Sequence, residues 1–206
     1  MKNEKNLTTG VLLTLPDWLD KILAEKNIVI PDPEERMRWV IGLSRQNVEH
    51  VSGGPFAAAV FAGDSGKLLA VGVNRVEPLN CSPAHAEVMA IVFAQQNLRT
   101  WDLGEDDKIP AEMVTSSQPC LMCLGALLWS GVTSVTYAAT AADVTAILGF
   151  DEGPLPAVWP QELQKRGIRV KAEFLRAEAV AVLELYKKKQ GTIYNSRKGK
   201  AGGRTP

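Results

Sequence analysis

Three cysteines among 206 residues are too few for a disulfide framework. That excludes the small stapled domains of secreted proteins and fits a reducing compartment. Long apolar runs are missing too. None approaches the ~18 residues of a bilayer-crossing helix, and residues 1–10 are polar, without the apolar segment of a secretion signal. A cytoplasmic protein with no membrane partner is therefore expected. The chain also lacks net charge, with 23 basic against 23 acidic residues. That balance hides an asymmetry. Lys187, Lys188, Lys189, Arg197, Lys198, Lys200 and Arg204 fall in the last 20 residues, where there is no acid, so the body holds 16 basic against 23 acidic residues. An acidic body is a poor platform for a polyanion, and the basic end reads as a solvated tail, so nucleic acid is not an expected partner. The hydrophobic share of 46% and the charged share of 22% suit one globular domain with a substantial core.

Two short stretches carry chemistry. The first is Ser82-Pro83-Ala84-His85-Ala86-Glu87; the second, about 30 residues later, is Pro119-Cys120-Leu121-Met122-Cys123. A catalytic Zn²⁺ takes three imidazole or thiolate ligands and keeps its fourth position open, and His85, Cys120 and Cys123 supply three. Glu87 is a hard carboxylate placed to carry a proton rather than to ligate. Taken singly, a C-x-x-C is as readily a redox pair and a lone histidine a packed core residue; together they form the pattern of zinc-dependent base-modifying enzymes. A closed structural zinc is the competing reading, with Cys81 as the fourth ligand of a Cys₃His set. Ser82 and Pro83 read as the cap and first position of a helix with His85 in its first turn. Pro119 likewise opens a second helix, where Cys120 and Cys123 share a face.

Periodicity places the remaining elements. Helices are expected over 16–27, from Asp32-Pro33 through Val51, over 83–97, from Pro119 past Trp129, over 141–148 and over 177–189. Both helices of the metal motif are apolar almost all round and are expected to be buried. Strands are expected over 56–62 and 68–73, joined by a Gly63-Asp64-Ser65-Gly66 hairpin, and over 113–116, 132–139 and 168–175. The last two are expected to run parallel, because their connection is long and holds a helix.

This order of elements resembles the cytidine deaminase superfamily over residues 33–190. Gly53-Gly54-Pro55-Phe56, Asn74 eleven residues before His85, Cys123-Leu124-Gly125-Ala126 leading to Trp129, and Gly149-Phe150-Asp151-Glu152 are similar to bacterial guanine deaminases. The resemblance implies an α/β fold, a three-layer α/β/α sandwich around a five-stranded mixed sheet. Residues 1–30 become an extension, 31–190 the zinc-dependent domain, and 191–206 a tail. It implies that Asn74 hydrogen-bonds a free nucleobase, that Phe56 and Trp129 wall its ring, that Ala86 lies against it, and that Glu87 moves protons. The second acid of the Gly149 segment becomes a proton shuttle. The compared proteins carry aspartate there, so both Glu152 and Asp151 stay open, with Glu152 in the matching place. Tyr194 would close over the base, crossing between the subunits of a homodimer. The implied reaction is hydrolysis of guanine to xanthine and ammonia in purine catabolism, with the amino-triazine ammeline as a second substrate. A transfer-RNA adenosine deaminase, a cytidine or deoxycytidylate deaminase, and a non-enzymatic zinc-stabilised binding module are the alternatives.

Overall fold

A computed structural model describes residues 8–25, 27–105 and 109–195. Residues 1–7 of the expected N-terminal extension, residues 26 and 106–108, and residues 196–206 of the expected tail lie outside the described residues. The described elements are α1 (Trp18–Leu23), α2 (Pro33–Glu49), β1 (Ala57–Ala62), β2 (Lys67–Val73), α3 (Ala86–Leu98), β3 (Ala111–Ser117), α4 (Leu121–Ser130), β4 (Ser134–Ala139), α5 (Ala141–Leu148), α6 (Trp159–Gln164), β5 (Arg169–Lys171) and α7 (Arg176–Lys188).

The five strands form one sheet in the order β2-β1-β3-β4-β5. β1 runs antiparallel to β2 and β3, whereas β3, β4 and β5 are mutually parallel. Every residue of β1 is buried, because both faces of the sheet are covered. Alternation splits the strand between two cores. Ala57, Ala59 and Phe61 join α1, α2 and α7 on one side, while Ala58 and Val60 join α3, α4 and α6 on the other. The result is the expected three-layer α/β/α sandwich around a mixed sheet.

The helix expected over 16–27 is only Trp18–Leu23, and four other departures have a local reason. Ser82 does not cap a helix, since Ala84 N bonds Cys81 O and His85 N bonds Pro83 O in a turn, and α3 starts at Ala86 with His85 as N-cap in extended backbone. Cys120 is likewise the extended N-cap of α4, one residue past Pro119. The strand expected over 168–175 stops at Lys171, because Glu173 and Leu175 take left-handed φ values of 57° and 58° and turn the chain into α7. The short helix α6, with Pro160 in its first turn, escaped expectation because six residues are too few to display a period.

The seat of α3 on β2 is set by one missing side chain. A Cβ on Gly72 would lie 2.0 Å from Ala86 O and 2.5 Å from Ala90 N, both backbone atoms of α3 that no rotamer change can move. Gly72→Ala should therefore lift the first turn of α3 and cost about 1–3 kcal/mol of stability, as overpacking does. Denaturant unfolding reads this directly, and a wild-type midpoint would refute the close seating.

Candidate active site

Helices α3 and α4 point their N-termini at the same place, and each spends its N-cap on a metal-ligating side chain instead of a capping bond: neither His85 nor Cys120 makes a side-chain cap. Glu87 follows at the second position of α3 and Cys123 at the third of α4. His85 Nδ1 lies 3.5 Å from Cys120 Sγ and 3.6 Å from Cys123 Sγ, and the three ligand atoms all fall within 4.8 Å of one another. Tetrahedral Zn²⁺, with Zn–N of about 2.0–2.1 Å and Zn–S of about 2.3 Å, sets nitrogen and sulfur about 3.5 Å apart, so the donors fit zinc. Among the described residues no fourth protein ligand joins them. Cys81 sits half-buried in the preceding turn, outside the cluster, so the closed Cys₃His arrangement is not formed. Three ligands match a catalytic centre rather than a structural one.

The charges at this spot are tightly linked. The hydrogen bond from Cys123 pulls the Cys120 thiol down to about 4, helped by His85, whereas the same bond, burial and the nearby Glu87 push Cys123 up. The two thiols are pushed in opposite directions because they face each other, and a bound divalent cation would draw both into the thiolate form. Burial lowers the His85 imidazole, but its hydrogen bond to Cys120 and the negative charges of Cys120 and Glu87 outweigh that and raise it. Glu87, only 6% exposed, is pushed up to about 7 by burial and by the Cys120 charge, and accepts a hydrogen bond from Cys123 Sγ at 3.4 Å. Glu152 is pushed up to about 8 by burial, then by the charges of Cys120 and Glu87.

His85, Glu87, Cys120 and Glu152 open into a cavity of about 430 Å³, also lined by Phe56, Asn74, Ala86, Phe150, Asp151 and Tyr194, with Cys123 buried behind them. Phe56 meets Phe150 edge-on with centroids 5.6 Å apart, and Phe150 meets Tyr194 at 4.6 Å. Asn74, 1% exposed, has its amide orientation fixed: Oδ1 accepts from Gly54 N and Val76 N at 3.3 Å, and Nδ2 donates to Tyr194 Oη at 2.8 Å. It presents a donor to this wall. A Cβ on Gly54 would stand 2.9 Å from Tyr194 Oη, and one on Gly53 1.8 Å from Asn74 O, which explains the paired glycines. Of the two open acids, Asp151 is exposed and its Oδ1 accepts from Gly153 N within its own loop, whereas Glu152 is partly buried beside Cys120.

One expected wall residue is not here. Trp129 is 86% exposed and does not line the cavity, because the buried side of α4 is carried by Cys123, Leu124 and Leu127. Leu121, Met122 and Leu128 are exposed with it, so α4 is not buried all round as expected. Tyr194 and Asn195 line the cavity of their own chain. Three contributors escaped the sequence. Asn47 on α2, fully buried, donates from Nδ2 to Gly54 O and Asn74 O. Ser52 joins Asn47 to Trp18 of α1, accepting from Trp18 Nε1 at 2.9 Å and donating to Asn47 Oδ1 at 2.8 Å. Asn195 clasps the Gly149 segment. An amide among the apolar positions of α2 was the available signal for Asn47.

A family profile described as the cytidine and deoxycytidylate deaminase zinc-binding region matches residues 32–139. The chain is similar to the guanine deaminase of Bacillus subtilis (strain 168), 39% identical over 119 residues, covering 58% of this chain and 71% of that one. In three dimensions it is similar to the guanine deaminase from Nitrosomonas europaea, with a TM-score of 0.83 and 46% identity over 89% of this chain and 100% of that one. It is also similar to NE0047 in complex with 2,6-diaminopurine, with a TM-score of 0.84 and 48% identity over 91% and 98% of the two chains.

The metal and the fold should be separable here, because α3 and α4 are anchored in the core by Met89, Ala90, Ala94, Leu124 and Leu127 independently of any ion. Cys123→Ser should drop bound zinc well below one per chain while the far-ultraviolet circular dichroism stays that of the wild type. Collapse of the helices together with zinc loss would return the site to a structural role.

Proposed function

The chain belongs to the cytidine and deoxycytidylate deaminase zinc-binding family, which makes it a zinc-dependent hydrolytic deaminase, and from that premise we propose that its substrate is free guanine, converted to xanthine and ammonia. The observation that carries this reading is the content of one cavity: His85 and Cys120 of the metal-ligand triad, Glu87, Glu152 and the fixed donor of Asn74, with the third ligand Cys123 buried beside them. Relatives that are guanine deaminases support it.

When bound, zinc supplies the Lewis acidity that lets water lose a proton near neutral pH. Glu87 accepts that proton and delivers it to the ring nitrogen beside C2. A C2–O bond forms and the C2–N bond to the amine breaks. Glu152 gives the proton with which the amine leaves as ammonia, and the hydroxyl hydrogen left on C2 restores it. Dividing the work between two carboxylates spares Glu87 from serving both the ring and the leaving group. Phe56, Phe150 and Tyr194 enclose a flat ring, and Ala86 adds no bulk between His85 and Glu87. The Asn74 amide offers a donor to an acceptor on the base. Adenine presents a different order of donors and acceptors, and unpaired groups in such a site cost a factor of ~10⁴ or more. Ammeline shares the ring size and edge pattern of the pyrimidine half of guanine and is the proposed second substrate. A transfer-RNA deaminase needs basic surface to hold RNA, and this body is acidic.

The same reading makes the protein a cytoplasmic homodimer acting in purine catabolism. The uncovered apolar side of α4, with Leu121, Met122, Leu128 and Trp129, supports the dimer. The resemblance adds exchange of the C-terminal tail, residues 191–206, between subunits, which would set Tyr194 over the partner's base.

Ammonia release should be fastest from guanine, detectable from ammeline and slight from adenine or cytidine; faster turnover of cytidine would overturn the substrate. Glu87→Gln should lose about 10²–10⁴ in turnover with zinc at full occupancy, and Glu152→Gln should lose more than Asp151→Asn. Truncation after Gly191 should cut kcat/KM strongly with zinc retained. Pairing a Glu87→Gln subunit with a truncated one should then restore one working site; no restoration seats the tail on its own subunit.

A further inference from the structure

Residues 149–152, which deliver Glu152, have no helix or sheet of their own, so their backbone must be held from outside. Thr145 Oγ1 donates to Phe150 O at 3.2 Å, and Leu121 N donates to Glu152 O at 3.0 Å. The remaining hold comes from the tail. Asn195 Oδ1 accepts from Asp151 N at 2.9 Å while its Nδ2 donates to Gly149 O at 2.8 Å. These two bonds fix the amide orientation and make a two-point clasp on the segment. The Asp151 N–H and the Glu152 carbonyl bracket the Cα of Glu152. One is tied to the tail, the other to the first residue of α4, next to the metal ligand Cys120. Tyr194 touches the same segment through ring packing on Phe150.

Resting on the assignment of Glu152 as the second proton carrier, we propose that Asn195 is a positioning residue that sets the Glu152 carboxylate for proton transfer through the backbone of Gly149 and Asp151. The tail then does two separable jobs. Tyr194 closes the base-recognition wall at Asn74, and Asn195 sets the proton-transfer wall. A displacement of about 1 Å in a catalytic group costs about a hundredfold in rate, and losing one of the two backbone anchors beside Glu152 introduces slack of that kind. The two bonds are made by a half-buried tail residue at the rim of the cavity rather than by the core, so their removal spares the fold.

The test is a double-mutant cycle on zinc-loaded enzyme with guanine. Asn195→Ala should lower kcat by about tenfold or more, leave KM within about twofold, and speed deuterium exchange at the Asp151 amide. In a Glu152→Gln background the same substitution should change kcat by less than about twofold, because the group it positions is gone. An equal loss in both backgrounds, or unchanged exchange at Asp151, overturns the positioning role. Full kcat in Glu152→Gln alone overturns the assignment of Glu152 instead, and that single variant reads it before Asn195 is altered.

Discussion

The structure depends on two helix N-termini meeting at one point. A ligand at an N-cap has no freedom beyond its own side chain, since the next residue is already committed to the helix; the position of each helix on the sheet therefore becomes the position of its metal ligand. For α3 that seat is the backbone contact at Gly72, and for α4 it is the short link from the end of β3 through Pro119. Helix ends also lend positive potential to a site that must hold thiolates and carboxylates together. The same geometry explains why neither helix carries an ordinary cap: the usual capping oxygens are replaced by an imidazole and a sulfur.

Around that fixed point the pocket is assembled from pieces distant in sequence. The loop at Gly53-Gly54 can press against Asn74 and Tyr194 only because it has no side chains, and Asn47 holds the loop and Asn74 together from α2. Trp18 reaches the same loop through Ser52 and stacks on His50 at 5.5 Å, while Arg75 bonds Ser52 O at 2.6 Å. Residues before α2 are thus tied to the substrate wall by hydrogen bonds. Gly191 lets the tail leave α7 toward the site, since a Cβ there would stand 2.1 Å from the Tyr186 ring.

Much of this was legible in the sequence because it is encoded locally. His85, Glu87, Cys120 and Cys123 are recognisable by spacing, since metal ligands need both a residue type and an interval. The strands were legible from apolar runs, and α5 began and ended where it was expected, its start fixed by the Thr140 and Asp143 capping box and its end by the left-handed Gly149. What escaped depends on information no window contains. Trp129, whose role the resemblance implied, lies off its own chain's cavity because the Cys123, Leu124 and Leu127 side of α4 faces the core, a choice that a helix apolar all round does not declare. The start of α3 was misplaced because Ser82-Pro83 makes a good helix opening whose use was overridden by the need for extended backbone at a ligand. Asn47 and Asn195 act on backbone atoms 7 to 46 residues away, and nothing near them in the chain records those partners.

The two margins of the sheet are finished differently. β5 is three residues long and offers solvent the charged side chains of Arg169 and Lys171, so it is too short and too polar to accept a further strand. β2 is longer and lies on the opposite margin, where residues 28–30 lie along it: Leu68 N bonds Ile28 O, Ile30 N bonds Gly66 O, and Val29 bridges Lys67. A cleavage that released this covering segment would leave a row of unpaired amides and carbonyls in the first half of β2, a template on which identical chains could add edge to edge. The residues that steady the substrate wall thus also continue into the guard against self-association, and proteolytic loss of that one stretch would turn a covered edge into a surface for strand addition.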